Sequence, residues 1–496
     1  MIGTETFDPV PDILEDEYYT EHRITKKLGE GGQGFVCQTQ NPLIVIKLVT
    51  DGTGNTIERL KNKAAFEKYK NRFASLRIAP LPNDIHISLP VALLKDYAGY
   101  VMHFMEDMIP LSALDTTEFP ESAVDYPAWL VGNAPSQDVS AAQKILYAYC
   151  KNGGLRRRLF ILGKAAQVLT ELHAAGLVYC DISYNNIFVT GDIEFETPNV
   201  WFIDADNIFT ASEDCMKGNT VYTPRYGAPE VVLQQSACTQ QSDIYAFALT
   251  AFEKLTLIYP FAGKAADNWE DGDDWDQSSG AASSVPPADP MQKAAAGDLD
   301  WIWAENGSNA SEDGLPQALT LTDRLFMLFD RTFQAGRKNP AARPSAFLWT
   351  KALFEAHDLT LQCPDCAMSW YYSGQGTECP YCGHRLGSVM TIEENGSIIF
   401  AHEVIPEKPI RIAQERIGLA NMQDARRNLL SVVFRNSENA LELIFHKIDN
   451  YECTIEQKGQ REVLYGQLLV LYDDFTVEIE NDNKYRAFSV RFLREP

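Results

Sequence analysis

The chain has 496 residues, which is too long for one compact core and predicts several domains. Hydrophobic residues make up 45% of it, a share that can supply buried cores and that excludes a wholly disordered protein. The formal net charge of −25 would repel phosphate groups, which argues against nucleic acid or an anionic membrane as the main partner. The sequence shows neither a basic, apolar leader nor an apolar run of the ~20 residues that a bilayer requires, and we therefore expect a soluble, cytoplasmic protein.

The spacing of apolar side chains predicts a mixture of strands and helices. Residues 22–50 alternate apolar and polar side chains around a glycine cluster, which predicts a twisted strand–turn–strand, and residues 85–105 predict further strands. Helices are predicted over residues 57–76, 155–175, 242–257, 319–334 and 345–356.

Residues 265–315 interrupt this pattern with clustered aspartate, glycine, serine, alanine and proline, which predicts a mostly irregular insertion. The stretch is acidic around Trp269 and Trp275, and Trp301 and Trp303 follow. It is either a docking segment or a solvated loop that a few tryptophans anchor. The second alternative follows from the fact that runs of charge usually face water.

A glycine-rich motif of the form GxGxxGxV runs from Gly29 to Val36. Glycines at these positions let the backbone approach phosphate oxygens and adopt conformations that other residues avoid. The same glycine pattern opens dinucleotide-binding units, where it begins a helix. Here Phe35, Val36 and Cys37 have strand character, which favours a hairpin.

Lys47 ends the apolar run Ile44–Lys47. A lysine in a buried strand is costly unless it is paired. In a phosphotransferase it would hold the α- and β-phosphates and pair with a carboxylate on a helix. Glu67, within the first predicted helix, is the preferred candidate for that carboxylate, and Glu58 is the alternative. Both could also be ordinary surface acids.

Two later segments carry oxygen-bearing side chains. Asp181 and Asn186 follow a predicted helix at a spacing that suits a base beside a substrate hydroxyl and a ligand on a metal ion. Asp204 directly follows the apolar run Val200–Ile203, and a carboxylate at a strand end suits magnesium, which prefers oxygen ligands. Asp206 competes with Asp204 for that role.

Three further features carry no chemistry alone. The segment Thr223–Glu230 ends in Ala-Pro-Glu, Asp243 lies at the start of an apolar helix, and Arg343 comes late in the helical region. An ion pair between Glu230 and Arg343 is predicted as a structural bridge.

In this order the motifs resemble those of the eukaryotic-type (Hanks-type) Ser/Thr protein kinases, over about residues 22–356. The segments around Asp181 and Asp204 also resemble bacterial kinases of tellurite-resistance-type gene clusters. The resemblance implies an α+β, two-lobed protein-kinase-like fold. Its implied parts are an N-terminal extension (1–21), a small N-lobe with an antiparallel sheet (22–106) and a helical C-lobe (107–358) that includes the acidic insertion.

The resemblance also implies a role for each matching residue. Asp181 would take the proton of the substrate hydroxyl, Thr223 would contact Asp181, and Lys47, fixed by Glu67, would anchor the phosphates of ATP. Asn186 and Asp204 would hold Mg²⁺ or Mn²⁺, and residues 103–105 would receive adenine. The implied nucleotide- and cofactor-binding residues are Gly29, Gly31, Gly34, Val36, Lys47, Glu67, His103, Met105, Asn186 and Asp204.

The implied partner is a protein substrate phosphorylated on serine or threonine. The resemblance to the tellurite-type kinases adds a von Willebrand A-type or phosphatase protein as a second candidate partner. Neither nucleic acid nor membrane is implied.

Departures from the kinase pattern leave two alternatives open. Tyr179 and Cys180 replace the usual His-Arg before Asp181, and Ser183 replaces a lysine that often follows it. A pseudokinase scaffold that binds nucleotide and partners would tolerate these changes. A small-molecule kinase of the aminoglycoside type would share the Asp181 loop, although the Ala-Pro-Glu and glycine motifs favour a protein substrate.

Two CxxC pairs, formed by Cys363, Cys366, Cys379 and Cys382, lie within residues 360–388. Four thiolates at this spacing can close a tetrahedral zinc site, and because protein fills all four positions the site would be structural. Two matching pairs are not needed for a redox centre, and disulfides are rare in a cytosol. The sequence therefore predicts a zinc ribbon.

Short alternating stretches over residues 395–496 predict a small all-β interaction domain. A sandwich of the forkhead-associated type is one hypothesis for it, but the sequence carries no convincing signature for reading phosphothreonine.

Overall fold

The computed structural model describes residues 11–31, 34–115, 126–132, 139–193, 197–210, 221–266, 290–413, 428–446, 451–481 and 484–494. The chain divides into two compact units, which are described separately. The first unit contains residues 1–114, 161–314 and 326–350, and the second contains residues 115–160, 315–325 and 351–496.

The described helices and strands follow the chain from α1 to α11 and from β1 to β23. The helices are α1 Lys63–Arg77, α2 Ala128–Val131, α3 Ala141–Lys151, α4 Gly154–Ala174, α5 Pro229–Val232, α6 Gln240–Thr256, α7 Pro290–Ala296, α8 Gln317–Thr320, α9 Asp323–Phe333, α10 Ala335–Lys338 and α11 Ala346–Asp358. The strands are β1 Ile13–Glu15, β2 Glu21–Gly31, β3 Gly34–Thr39, β4 Ile44–Val49, β5 Ala92–Leu93, β6 Gly99–His103, β7 Met108–Pro110, β8 Leu177–Val178, β9 Ile187–Thr190, β10 Val200–Phe202, β11 Phe209–Thr210, β12 Thr360–Gln362, β13 Ser369–Tyr371, β14 Ser388–Glu394, β15 Ser397–Glu403, β16 Ile410–Ala413, β17 Asn428–Arg435, β18 Ala440–Phe445, β19 Glu452–Gln457, β20 Gln460–Val463, β21 Gln467–Leu471, β22 Phe475–Asn481 and β23 Lys484–Arg494.

The first unit begins with a six-stranded antiparallel sheet in the order β1-β2-β3-β4-β6-β5. Helix α1 contributes Phe66 and Phe73 to the core of this sheet, where the Phe73 and Tyr100 rings meet edge to face at 4.9 Å. The helix begins later than the sequence pattern predicted, because Asn62 caps it by accepting the backbone N–H of Ala65 at 3.1 Å. Ile57 instead donates its N–H to the Val49 carbonyl and belongs to the loop beside the sheet.

Two glycines permit close backbone approaches within this sheet. A Cβ on Gly34 would lie 2.1 Å from the Leu48 carbonyl oxygen, and one on Gly99 would lie 2.4 Å from the Lys47 carbonyl oxygen. No other residue fits at either point without a shift of the strands. Both glycines therefore allow the neighbouring strands to lie close to β4, the strand that carries Lys47.

The helical part of the first unit forms around α6, most of whose side chains are buried. Phe252 of this helix packs against Phe329 at 5.3 Å and against Trp301 at 5.8 Å between ring centroids. Trp301 is buried, so tryptophans do anchor part of the stretch at 265–315, which also contains α7. Residues 267–289 of that stretch, including Trp269 and Trp275, lie outside the described residues.

The predicted bridge between Glu230 and Arg343 is confirmed. Two guanidinium nitrogens of Arg343 donate to the two carboxylate oxygens of Glu230, each at 2.7 Å. A third bond runs from Arg343 Nε to the Gly336 carbonyl at 2.8 Å, and both charged side chains are buried. Bidentate pairs between arginine and a carboxylate are among the strongest hydrogen-bonded ion pairs in proteins.

The second unit contains a short hairpin whose loop carries the first CxxC pair; the second pair follows the hairpin, and two larger sheets come after it. The hairpin strands β12 and β13 are bonded to the start of α4: Arg156 donates its backbone N–H to Ser369 Oγ at 3.0 Å and its side chain to the Thr360 carbonyl at 2.6 Å. In α3, the Cys150 thiol donates to the Cys366 carbonyl at 2.9 Å. The hairpin therefore has polar anchors on two helices.

The described residues between 388 and 494 form two antiparallel sheets around one core. The larger has the order β15-β14-β23-β22-β19-β20 and the smaller has the order β16-β17-β18-β21. Apolar side chains of both sheets, such as Ile392, Leu443 and Val477, are buried in a single cluster. Alternating apolar side chains on paired strands produce this two-layer arrangement.

Within the described residues, no helix has both the length and the apolar character that a membrane span needs.

Replacing Arg343 with Met should lower the free energy of unfolding by about 3–5 kcal/mol, because Glu230 would be left as a buried charge without its cation. Thermal or denaturant unfolding of the purified variant measures the loss. The matched control is Lys264→Met, which breaks an exposed ion pair with Glu312 and should cost about 1 kcal/mol or less. Equal losses in the two variants would contradict a structural role for the bridge.

Candidate active site

Lys47 is buried in the centre of the first sheet, where β4 pairs with β3 and β6. Its ammonium group contacts the carboxylates of Asp204 and, at 2.7 Å, of Asp206. The second contact is a close charge pair rather than an aligned hydrogen bond. Burial by itself would lower the pKa of Lys47, but the charges of Asp206 and Asp204 outweigh it and raise that pKa above its ordinary value.

The expected ion pair between Lys47 and Glu67 is not formed in this structure. Glu67 lies half-buried on α1, whereas the ion pairs described for Lys47 are with Asp204 and Asp206. Sequence reasoning considered Asp206 only as a competing metal ligand and missed it as a partner of Lys47. The available signal was its spacing, since two aspartates two residues apart can approach one cation when a tight turn follows the strand.

A strained backbone directs the two aspartates. Asp204 has φ 63° and ψ 64°, in the left-handed region that few residues other than glycine adopt. A single 3₁₀ turn, Ala205–Asn207, follows at once and buries Asp206. Strain of this kind persists only where surrounding contacts hold it, and it concentrates at functional sites. The turn therefore places both carboxylates beside one lysine.

Asp181 lies in a loop that α6 holds in place. The buried carboxylate of Asp243 accepts the backbone N–H groups of Tyr179 at 2.7 Å and of Cys180 at 2.8 Å. It also lies 3.0 Å from the ring nitrogen Nε2 of His173 at the end of α4. Cys180 has a positive φ of 74°, which these bonds stabilise. Sequence reasoning noted Asp243 at the helix start but did not find its contact with this loop.

The carboxylate of Asp181 itself accepts a hydrogen bond from Thr223. The Thr223 hydroxyl donates to Asp181 Oδ1 at 2.6 Å, and the Asn186 side chain donates to the Asp181 carbonyl at 2.7 Å. Burial raises the pKa of Asp181 above its ordinary value, and the charge of Asp204 adds to the increase, while the Thr223 bond opposes it. The structure thus brings Asp181, Asn186 and Thr223 together, with Asp204 close enough to act on them electrostatically.

The predicted nucleotide-binding residues of the first sheet lie on β2, β3 and the end of β6. Gly29 pairs with Val36 and Gly31 with Gly34 across the β2–β3 hairpin. Val36 in turn pairs with Lys47, so the hairpin and the lysine share one sheet. The segment 103–105 begins at the end of β6, where His103 pairs with Ile44. The roles of these residues towards a nucleotide stay predictions.

The oxygen atoms near Lys47 suit a hard divalent cation. Asp204 is partly exposed, and Asp206 has a buried carboxylate oxygen, Oδ1, without a hydrogen-bond partner among the described residues. Asn186 uses its amide nitrogen to donate to Asp181, so its amide oxygen is the atom able to ligate a cation. Carboxylate and amide oxygens are the ligand types that Mg²⁺ takes in proteins.

The four cysteines of the CxxC pairs also come together. Their sulfur atoms all lie within 4.8 Å of one another, with Cys363 to Cys382 at 3.6 Å and Cys366 to Cys379 at 3.7 Å. A disulfide would need about 2.05 Å. A tetrahedron with metal–sulfur bonds of about 2.3 Å has sulfur–sulfur edges of about 3.8 Å, so the cluster has the size of a four-thiolate zinc site.

Part of the chain is similar to known protein kinases. Residues 152–307 match the protein kinase domain family. The serine/threonine-protein kinase dkf-2 of Caenorhabditis briggsae is 26% identical over 147 residues, which cover 30% of this chain and 11% of that protein. The serine/threonine-protein kinase PknA of Mycobacterium tuberculosis is 30% identical over 112 residues, which cover 23% of this chain and 25% of that protein.

The chain therefore spans a quarter or less of the length of these curated relatives. The matched segment contains Asp181, Asn186, Asp204, Thr223 and Asp243. Residues 152–307 therefore resemble the protein kinase domain, and in this structure they contain both helices and strands.

Replacing Asp243 with Asn should lower the free energy of unfolding by about 1–3 kcal/mol, because two buried backbone N–H groups would lose a charged acceptor. Thermal unfolding measures the loss, and hydrogen exchange at Tyr179 and Cys180 should quicken with it. The control is Asp323→Asn, an exposed acid in the first turn of α9. Unchanged exchange at these two amides would contradict the anchoring role.

Proposed function

We propose that this protein is a Ser/Thr protein kinase, which transfers the γ-phosphoryl group of ATP to hydroxyl groups of protein substrates with Mg²⁺ or Mn²⁺. The observation that carries the proposal is the arrangement of Asp181. Asp181 is partly buried and has a raised pKa; Thr223 bonds to its carboxylate, Asn186 bonds to its backbone carbonyl, and the charge of Asp204 acts on it. A base with a raised pKa, set beside candidate metal ligands, matches the needs of phosphoryl transfer.

Each residue of this arrangement has a proposed task. Asp181 accepts or orients the proton of the substrate hydroxyl, and Thr223 fixes its carboxylate. Lys47 binds the phosphates, and Asn186 and Asp204 would hold the metal ion. Bound ATP would supply the phosphoryl group, and its metal ion would neutralise part of the phosphate charge. Positioning and charge stabilisation account for most of the catalysis in such reactions, so the protein needs no covalent intermediate.

A nucleotide-binding scaffold without transfer is the second candidate. The loop of Asp181 has the neutral, buried residues Cys180 and Ser183 where kinases often carry cations. Loss of those cations would reduce charge stabilisation during transfer. A scaffold would still use Lys47 and Asp204 to hold the nucleotide.

Labelled γ-phosphate should pass from ATP with magnesium to serine or threonine of a general protein substrate or of the protein itself. In Asp181→Asn this rate should fall by roughly 10²-fold or more, because removing a general base costs about that much. The exposed Asp298→Asn serves as a matched control and should transfer at the wild-type rate. ATP binding without transfer in any condition would favour the scaffold.

The activity should also fall as the solution becomes acidic, at a pH above the ordinary pKa of an aspartate. Burial raises the pKa of Asp181, and only the ionised form can accept a proton. The value of kcat/KM should therefore decline as the pH falls through that raised pKa. Because the raised pKa means that the folded protein favours protonated Asp181, protonation of this residue stabilises the fold. That stabilisation is complete below the pKa of Asp181 in the unfolded chain and is lost as the pH rises through its pKa in the folded protein. A pH–rate profile measures this acidic decline of kcat/KM, which should be absent from the residual activity of Asp181→Asn.

We also propose that the cluster of Cys363, Cys366, Cys379 and Cys382 binds one structural zinc ion. The sulfur spacing supports it, as does the buried position of Cys363 and Cys379. The hairpin of β12 and β13 buries Leu361 and Tyr372 in a small apolar cluster, and metal binding would add to the folding energy of so short a segment.

Purified protein should contain about one zinc ion per chain, and Cys366→Ser should lose it together with several degrees of melting temperature. Elemental analysis and calorimetry make the measurement. Cys453→Ser removes a buried thiol of the β-sheet core and is the matched control, which should retain the metal. Full metal content in Cys366→Ser would contradict the assignment.

A further inference from the structure

The two carboxylates beside Lys47 differ in their access to solvent. The Asp206 side chain is 2% exposed and the Asp204 side chain 22%, while that of Lys47 is 8% exposed. A buried ammonium group needs a counter-ion that stays with it. Asp204 is therefore partly open to solvent, whereas the Asp206 carboxylate is almost wholly enclosed by protein.

The backbone around Asp206 is fixed from both sides. Ala205 and Asn207, its neighbours in the 3₁₀ turn, are buried, and Ile208 donates its N–H to the Ala205 carbonyl at 3.1 Å. Before the turn, the Tyr179 hydroxyl donates to the Ile203 carbonyl. Asp206 therefore has little freedom to leave Lys47.

The sheet holds the other side of the contact. Lys47 pairs in register with Tyr100 of β6, a fully buried residue. Burial raises the pKa of Tyr100 well above its ordinary value, and the charges of Asp206 and Asp204 add to the increase. Lys47, Tyr100 and Asp206 thus form one buried cluster across two sheet strands and the turn.

We propose that Asp206 is the residue that positions Lys47, in place of a carboxylate on helix α1. Asp204 is then available as a metal ligand while Lys47 keeps one buried counter-ion. The catalytic consequence depends on the proposed kinase function, but the ion pair itself does not.

In this arrangement Lys47 needs no carboxylate from α1. One partner of the pair lies on the sheet and the other in the 3₁₀ turn after β10, and Glu67 takes no part in it. Asp206 is a positioning residue in this scheme and has no contact with the substrate.

A double-mutant cycle on nucleotide-free protein tests the pair without any assay of transfer. Lys47→Met, Asp206→Asn and their combination form one cycle, and Lys47→Met, Glu67→Gln and their combination form the matched cycle on α1. In the cycle on positions 47 and 206, the effects on the unfolding equilibrium constant should depart from independence by at least about ten-fold. In the cycle on positions 47 and 67, the departure should be less than about two-fold. Coupling at 47 and 67 with none at 47 and 206 would overturn the proposal.

Binding of ATP with magnesium, measured by calorimetry, separates positioning from general stability. Asp206→Asn should weaken binding about ten-fold when Lys47 is present and not at all in the Lys47→Met background. A purely structural residue would weaken binding equally in both backgrounds, and that result would overturn the proposal.

Should Asp206→Asn fail to fold, the Glu67→Gln protein still tests whether α1 supplies the carboxylate that positions Lys47. Its affinity for ATP with magnesium should stay within about two-fold of wild type, and a ten-fold loss would overturn the proposal. Coupling between 47 and 206 in a protein that transfers no phosphate would support the pair while refuting the kinase, so the two proposals fail separately.

Discussion

A lysine inside a sheet is the constraint around which the first unit is organised. The Lys47 ammonium is largely shielded from water, and its charge is stable only because two carboxylates reach it. That requirement determines much else. Gly34 and Gly99 allow neighbouring backbones to close around β4, and a left-handed residue followed by a tight turn brings Asp204 and Asp206 to the same atom.

Buried charges with assigned partners recur through the same unit. Asp243 is fully buried and holds the loop of Asp181 by two backbone N–H groups, and Arg343 is matched by both oxygens of Glu230. Each such contact is costly to break, since the remaining partner would be left without compensation. The loop with the proposed base therefore rests on α6, whose other residues are mainly apolar and buried. Rigid support of this kind suits a site whose proposed work is positioning.

The second unit obtains its stability by different means. Its two sheets share one apolar core of ordinary kind. The hairpin before them shares a smaller apolar cluster with Val389 and Ala401, and it also has polar anchors to α3 and α4 and a cluster of four thiols. A metal ion at that cluster would add folding energy to this small core.

The sequence by itself determined where most strands and helices form, through the spacing of apolar residues, and which residues could do chemistry, through the motifs. Alternation predicted the first strands, helical spacing predicted α4, α6 and α11 closely, and the motif order identified Asp181, Asn186, Asp204 and the four cysteines as candidates. Local capping moved the start of α1 to Lys63. It also divided the helix predicted over 319–334 into α8 and α9, where Thr322 accepts the N–H of Leu325. These boundaries depend on single side-chain bonds that a periodic pattern does not contain.

Only the tertiary structure decided which charges meet. Lys47 and Asp204 lie 157 positions apart in the chain, and the choice between Glu67 and Asp206 as the lysine's partner depends on where α1 and the 3₁₀ turn lie relative to β4. Asp243 likewise reaches the Tyr179 and Cys180 amides across more than sixty positions. The sequence shows which charged residues could serve as ion-pair partners. The tertiary structure selects among them, because a charge that folding removes from water must have its partner at contact distance.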